Sequence, residues 1–267
     1  MSENVRADVA RRRVVYEVEG QDAVRVRHAL TYRGSTGEPL SFDIYEPPGS
    51  GRGAWPVVLF VTGYNDLGME RLMGCKAKDM ASYADWGRLV AMQGVAGVTY
   101  ECREPAGDAR AILRHVRECA AALDVDPARI GVWSCSGNVP NTLGLLMDEP
   151  DLACAALLYG YMLDLDGHAH VADAAARFRF VAPAAGRTVR DVPADLPLLI
   201  ARAGRDEMPG LNDALDGFVA HALRENRPIT LVNHHSGPHA FDIMDDSSGS
   251  REAVRAALGF VAARLGA

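Results

Sequence analysis

Five stretches of this chain are nearly unbroken apolar runs: PVVLFVTG (56–63), VAGVTY (95–100), RIGVWSC (129–135), CAALLYG (154–160) and PLLIARAG (197–204). A weaker sixth, PITLVNHH, spans 228–235. A strand with one face in water alternates apolar and polar residues. An unbroken run needs cover on both faces, which is the situation of a strand inside a parallel sheet. Between the runs, apolar residues recur three and four apart over 82–93, 105–123, 211–227 and 251–266, as on the buried stripe of a helix. The second of these opens on Pro105 and aligns Ile112, Val116 and Cys119 on one face. Strand–helix alternation of this length predicts an α/β fold, a mostly parallel sheet with helices on both faces.

The beginning of the chain has a different rhythm. VVYEV (14–18), VRVRHALTY (24–32) and LSFDIYE (40–46) alternate like half-buried strands, and the turn clusters GQD and GSTGEP separate them. That pattern predicts an antiparallel start. Two connections, 64–80 and 161–196, are longer than a crossover needs, and long connections in a compact domain are commonly lids or binding loops. No internal repeat, low-complexity stretch or Gly/Pro-rich linker divides the 267 residues. The expectation is one domain over 1–267, with 161–196 inserted as a small cap between two core strands.

Composition narrows the partners. With 48% hydrophobic residues the chain has material for a sizeable core, and its net charge of −7 argues against nucleic acid. Arg11, Arg12 and Arg13 form a local basic cluster that reads as a solvated arm. No window holds the roughly 18 uninterrupted apolar residues of a membrane span, and the N-terminus has no apolar signal core. The five cysteines are scattered without CxxC spacing, so neither a zinc frame nor a disulfide scaffold is expected. These features predict a cytoplasmic protein without membrane attachment, cofactor or metal.

The chemistry concentrates in RIGVWSCSGNVPN. A strand-like run meets Ser134, Cys135 and Ser136, and a helix-compatible stretch follows at once. A nucleophile carried on such a turn sits in a strained backbone conformation, with small residues two positions before and after it. With Cys135 as nucleophile, Trp133 falls two positions earlier and its indole blocks the approach. With Ser136, the flanking residues are Ser134 and Asn138. Ser136 is the better frame.

From residue 24 onward the order of elements resembles the α/β-hydrolase superfamily, and RIGVWSCSGN is similar to its nucleophile-elbow segment. Its Gly-x-Ser-x-Gly appears here with both outer glycines replaced, as Ser134-Cys135-Ser136-Gly137-Asn138. The resemblance implies the chain order nucleophile, acid, histidine. Asp206 follows the run PLLIARAG, where the family carries its acid. His239 lies in SGPHAFD after PITLVNHH, and HAFD resembles the histidine loop of the dienelactone-hydrolase-like branch. The implied activity is hydrolysis of a carboxylic ester or lactone through an acyl-enzyme, with Ser136 as nucleophile, His239 as base and Asp206 orienting it. The implied oxyanion donors are the backbone N–H groups of Gly137 and of Tyr64, the latter in a Thr62-Gly63-Tyr64-Asn65 loop where the family commonly has His-Gly.

Other residues compete for these roles. Asp164 is the reserve for the acid, and His234 and His235 are rivals of His239. DLDGHAH (164–170) brings together Asp164, Asp166, His168 and His170 but lacks the spacing of a metal motif, so it reads as a solvated turn. Met69, Met73, Arg103 and Phe178 are candidate pocket residues, with Leu72, Cys75, Met80, Phe180, Val181 and Glu101 near them in sequence. The fold also hosts acyltransferases, cyclases and catalytically silent binding proteins, and the replaced glycines leave that alternative open.

Overall fold

The computed structural model describes residues 8–49 and 54–267. Eight strands form one sheet: β1 (Arg25–Arg33), β2 (Pro39–Glu46), β3 (Trp55–Phe60), β4 (Ala96–Tyr100), β5 (Val125–Cys135), β6 (Cys154–Leu158), β7 (Leu198–Ala203) and β8 (Ile229–His234). Their spatial order is β1-β2-β4-β3-β5-β6-β7-β8. The ladders β1–β2 and β2–β4 are antiparallel, and from β4 to β8 every pairing is parallel. The principal helices are α1 (Asp66–Met73), α2 (Ala81–Met92), α3 (Pro105–Glu118), α4 (Ala120–Leu123), α5 (Val139–Asp148), α6 (His170–Phe178), α7 (Leu211–Arg224), α8 (Phe241–Met244) and α9 (Ser248–Leu265).

The unbroken apolar runs do what two-sided burial demands. Along β3, Val57 and Leu59 face a core built with Ile112 and Val116 of α3, Leu143 of α5 and Phe218 of α7. Val58 and Phe60 face the opposite core, with Trp86 and Leu89 of α2 and Val254, Leu258 and Val261 of α9. One strand thus supplies both layers, each side chain alternating to its own face.

Residues 14–18 depart from expectation. They form no strand. Val14 instead buries its side chain in the second core, and the Val15 N–H donates to the carbonyl of Asp242 at 2.8 Å. Arg13 grips the buried carboxylate of Asp85 through Nε and Nη2, so this member of the basic cluster is an anchor for the arm. The helix expected over 105–123 breaks at Cys119, and Asp124 ends the second piece in the left-handed region.

The topology locates the site. From β3 the chain crosses to β4 on one side, then returns to place β5 on the other. That reversal falls between β3 and β5, and open α/β sheets bind ligands at the C-terminal strand ends beside such a reversal. Further along the same rim, the exits of β7 and β8 are stitched together. Gly204 N–H donates to the carbonyl of His234 and Arg205 N–H to that of Gly237, both at 2.9 Å. Gly204 permits this approach, since a Cβ there would overlap the carbonyl of His235. Both clashing groups are backbone, so little can yield. Gly204→Ala should destabilise the fold by about 1–3 kcal/mol in a denaturant titration. A variant as stable as the parent would show that the two loops have slack.

Candidate active site

β5 ends at Cys135, and the chain turns through Ser136–Asn138 as one 3-10 turn that runs directly into α5. Ser136 has φ 56°, the left-handed region that side chains other than glycine, Asn and Asp seldom occupy. This is the strained turn expected of an exposed nucleophile. Trp133 packs on Trp86 in the second core with ring centroids 4.4 Å apart. Cys135 is an unsuitable nucleophile: burial pushes its thiol up to about 12, so it stays protonated at neutral pH.

The three expected residues meet. Ser136 Oγ lies 2.9 Å from His239 Nε2, and His239 Nδ1 lies 2.7 Å from Asp206 Oδ2. A carboxylate only accepts, so Nδ1 carries the ring proton and Nε2 is left to accept from the serine hydroxyl. The Asp206 side chain is fully shielded from solvent, and its other oxygen accepts the N–H of Met208 at 2.9 Å. His239 keeps 27% of its side chain exposed, so solute reaches the serine–imidazole pair.

The rivals are occupied elsewhere. Asp164 accepts the N–H groups of Val171 and Ala172 at 2.8 and 2.9 Å, capping the start of α6. His234 is buried, with Nε2 2.9 Å from Ser250 Oγ. His235 is exposed at the end of β8. Asp166 pairs with His221 at 2.9 Å, and His168 and His170 stack on each other. Among the described residues no group of three or more His, Cys, Asp or Glu side chains is placed to hold a metal ion.

Several candidate pocket residues do other work. Met69 and Met73 pack with Ala10, Ala77 and Met80 in a small cluster under the 64–80 connection, and Tyr64 and Tyr83 pack against it. Arg103 is exposed, and Glu101 pairs with Lys76 at 2.5 Å. Phe178 belongs to a cluster with Tyr161, Val171 and Phe180, and Arg177 stacks over its ring. Phe180 does approach the elbow: its ring lies against Gly137 and edge-on to Tyr64, 6.1 Å between centroids. Val181 N–H donates to the Gly63 carbonyl at 2.9 Å, tying the 161–196 segment to the loop after β3.

That loop holds its backbone unexpectedly. Gly63 N–H donates to Asn138 Oδ1 at 2.8 Å, and Tyr64 N–H to Thr62 Oγ1 at 3.2 Å. The Tyr64 hydroxyl sits over the elbow, where a Cβ on Gly137 would overlap it. Gly137 is the second residue of its turn, so its own N–H has no intrahelical acceptor. Asn138, read from sequence as a tolerant replacement for glycine, has ordinary helical angles, φ −85° and ψ −22°. Its value is in its amide, which also donates to the Tyr83 hydroxyl at 3.2 Å. Nothing in the sequence flagged this clamp, because its partner follows the neighbouring strand, 75 residues away in the chain.

Comparison with solved structures finds the same architecture. A thermostable esterase from Pseudomonas putida superposes with a TM-score of 0.71 at 15% identity, over 98% of this chain and 88% of that one. An alpha/beta hydrolase enzyme from the metagenome of Lake Arreo, Spain, gives 0.70 at 17% identity, over 93% and 87%. A bacterial heroin esterase gives 0.69 at 17%, over 94% and 87%. Neither models of protein families nor curated protein sequences return a match. The protein has the α/β-hydrolase fold.

The clamp yields a counterintuitive expectation. Asn138→Gly would restore a glycine of the Gly-x-Ser-x-Gly pattern, yet it leaves the buried Gly63 N–H without an acceptor. It should lower stability by about 1–3 kcal/mol. Thermal or denaturant unfolding checks this, and a stabilised variant would contradict it.

Proposed function

We propose that this protein is a serine hydrolase that cleaves a carboxylic ester or lactone through an acyl-enzyme on Ser136. The observation that carries the reading is the Ser136–His239–Asp206 hydrogen-bond chain, at 2.9 and 2.7 Å, on a strained elbow at the C-terminal end of β5. His239 Nε2 takes the proton as Ser136 Oγ bonds to the substrate carbonyl carbon. The tetrahedral oxyanion then collapses, the C–O bond to the leaving alcohol breaks, and the imidazolium returns the proton to that alcohol. Water repeats the cycle on the acyl-enzyme. Asp206 holds the productive tautomer and offsets the imidazolium charge. That similar structures are esterases supports the reading, as does the HAFD loop with its likeness to the dienelactone-hydrolase-like branch. The chain is read as one domain, with 161–196 as its cap and Phe180 as the cap residue nearest the acyl site.

A catalytically silent reading draws support from one feature, the engagement of both Gly63 and Tyr64 N–H groups by side-chain acceptors. An oxyanion needs more than one aimed donor. The Gly137 N–H is one. On the hydrolase reading the second is Tyr64 acting through its hydroxyl, which lies over Gly137; burial raises its pKa, so the phenol keeps its proton.

Three variants test the roles. Asp206→Asn should lower kcat by on the order of 10⁴, with Asp164→Asn acting mainly on KM. Tyr64→Phe should lower kcat about 10²-fold and leave KM within about threefold. Steady-state kinetics on p-nitrophenyl esters of graded chain length and on simple lactones decide both points. Full activity in Asp206→Asn would remove the triad assignment, and full activity in Tyr64→Phe would return the second donor to the backbone.

A further inference from the structure

Three residues beyond His239 lies a second carboxylate that the triad does not use. Asp242 is 2% exposed, in the first turn of α8. Its Oδ2 accepts Trp86 Nε1–H at 3.1 Å, and its Oδ1 accepts the Tyr159 hydroxyl at 2.5 Å. Both oxygens accept, so the geometry is that of the ionised group. Both donors are neutral. A buried carboxylate whose direct partners are neutral is costly unless an opposite charge lies nearby. Asn would fit poorly, since its NH₂ would face one of the two donors.

Tyr159 connects this carboxylate to the histidine. It follows β6 with φ 36°, another strained backbone, and its N–H is held by the Ala201 carbonyl at 2.6 Å. Its ring stands edge-on to the His239 imidazole, 5.3 Å between centroids, and edge-on to Phe241 at 5.2 Å. Asp242 thus clamps the aromatic wall of the imidazole from behind. Through its own carbonyl it also receives the N-terminal arm at Val15.

Resting on the serine-hydrolase reading, we infer that Asp242 is a positioning residue for His239, whose buried negative charge fixes Tyr159 against the ring and stabilises the imidazolium. The groups facing the pair from each packed element are few. Asp206 comes from the loop after β7 and Ser136 from the elbow. Cys135 ends β5, Tyr159 follows β6 and Tyr83 lies on α2. Burial raises the pKa of Cys135, Tyr159 and Tyr83, so all three stay neutral in the working range. Asp206 and Asp242 are therefore the two carboxylates in this set that act on the imidazole charge. Burial also raises the pKa of Asp242, against the pull of its two donors, so removing those donors should raise it further.

The test reads the rate at which a fluorophosphonate labels Ser136 against pH, which requires no known substrate. Removing a neighbouring negative charge makes the imidazole harder to protonate. In Asp242→Asn the acid limb should move to lower pH by about 0.5–1 unit, and labelling at neutral pH should slow by roughly 3- to 30-fold. If that variant does not fold, Trp86→Phe combined with Tyr159→Phe leaves the carboxylate without donors, and the limb should move the same way. A limb that stays in place in the folded variant overturns the inference and leaves Asp242 as a structural knot. Failure of the parent chain to label at Ser136 would instead remove the hydrolase reading, and this inference with it.

Discussion

The site depends on one backbone conformation, the left-handed Ser136 at φ 56°. For a serine this costs about 1–3 kcal/mol and persists only where the surroundings over-determine it. Here they do. β5 is held in register by β3 on one side and β6 on the other, so the chain arrives at Cys135 with no freedom left. α5 begins at Val139, three residues after Ser136, with Pro140 in its first turn. Asn138 then pins the turn to the loop after β3. With the strain held this way, Oγ projects from the sheet rim toward His239 and not into the core.

The relay also needs the exits of β7 and β8 at fixed spacing, because a hydrogen bond weakens steeply outside a narrow range of distance and angle. Asp206 leaves β7 and His239 follows β8, two neighbouring parallel strands with continuous pairing from Leu198 to Ala203. The backbone stitches around Gly204 and Gly237 carry that register into the loops. The two carboxylates beside the imidazole then divide its environment. Asp206 bonds directly to Nδ1, while Asp242 acts through the Tyr159 ring. Three elements distant in sequence, the N-terminal arm, α2 and the end of β6, converge on Asp242.

Much of this was legible in the sequence because two-sided burial leaves a pattern that little else produces. The runs at 56–63, 129–135 and 197–204 each became an interior strand, and Gly63, Ser136 and Asp206 follow their ends. VVYEV carried the same alternation as a strand, but alternation records only that one side of a segment is buried. The arm buries Val14 against helices, so no ladder forms. Asp164 had the right residue type after the right strand, and the need of α6 for an N-terminal acceptor took it. Met69 and Met73 are buried or half-buried in a small cluster that reaches Tyr64 and Tyr83. The partnership of Asn138 with Gly63 and that of Asp242 with Trp86 left no local signal, since each joins segments far apart in the chain. Such pairings exist only after the sheet has assembled.

The central claim, that Ser136 forms an acyl-enzyme, is reached most directly by rapid acid quench after mixing with an activated short-chain ester, followed by peptide mass spectrometry. Acylation of Ser136 gives a mass increase equal to the acyl group on the peptide carrying Ser136, localised to that residue by fragmentation and absent from a folded Ser136→Ala variant. An adduct on Cys135, or turnover of the ester with unchanged rate in Ser136→Ala, would contradict it.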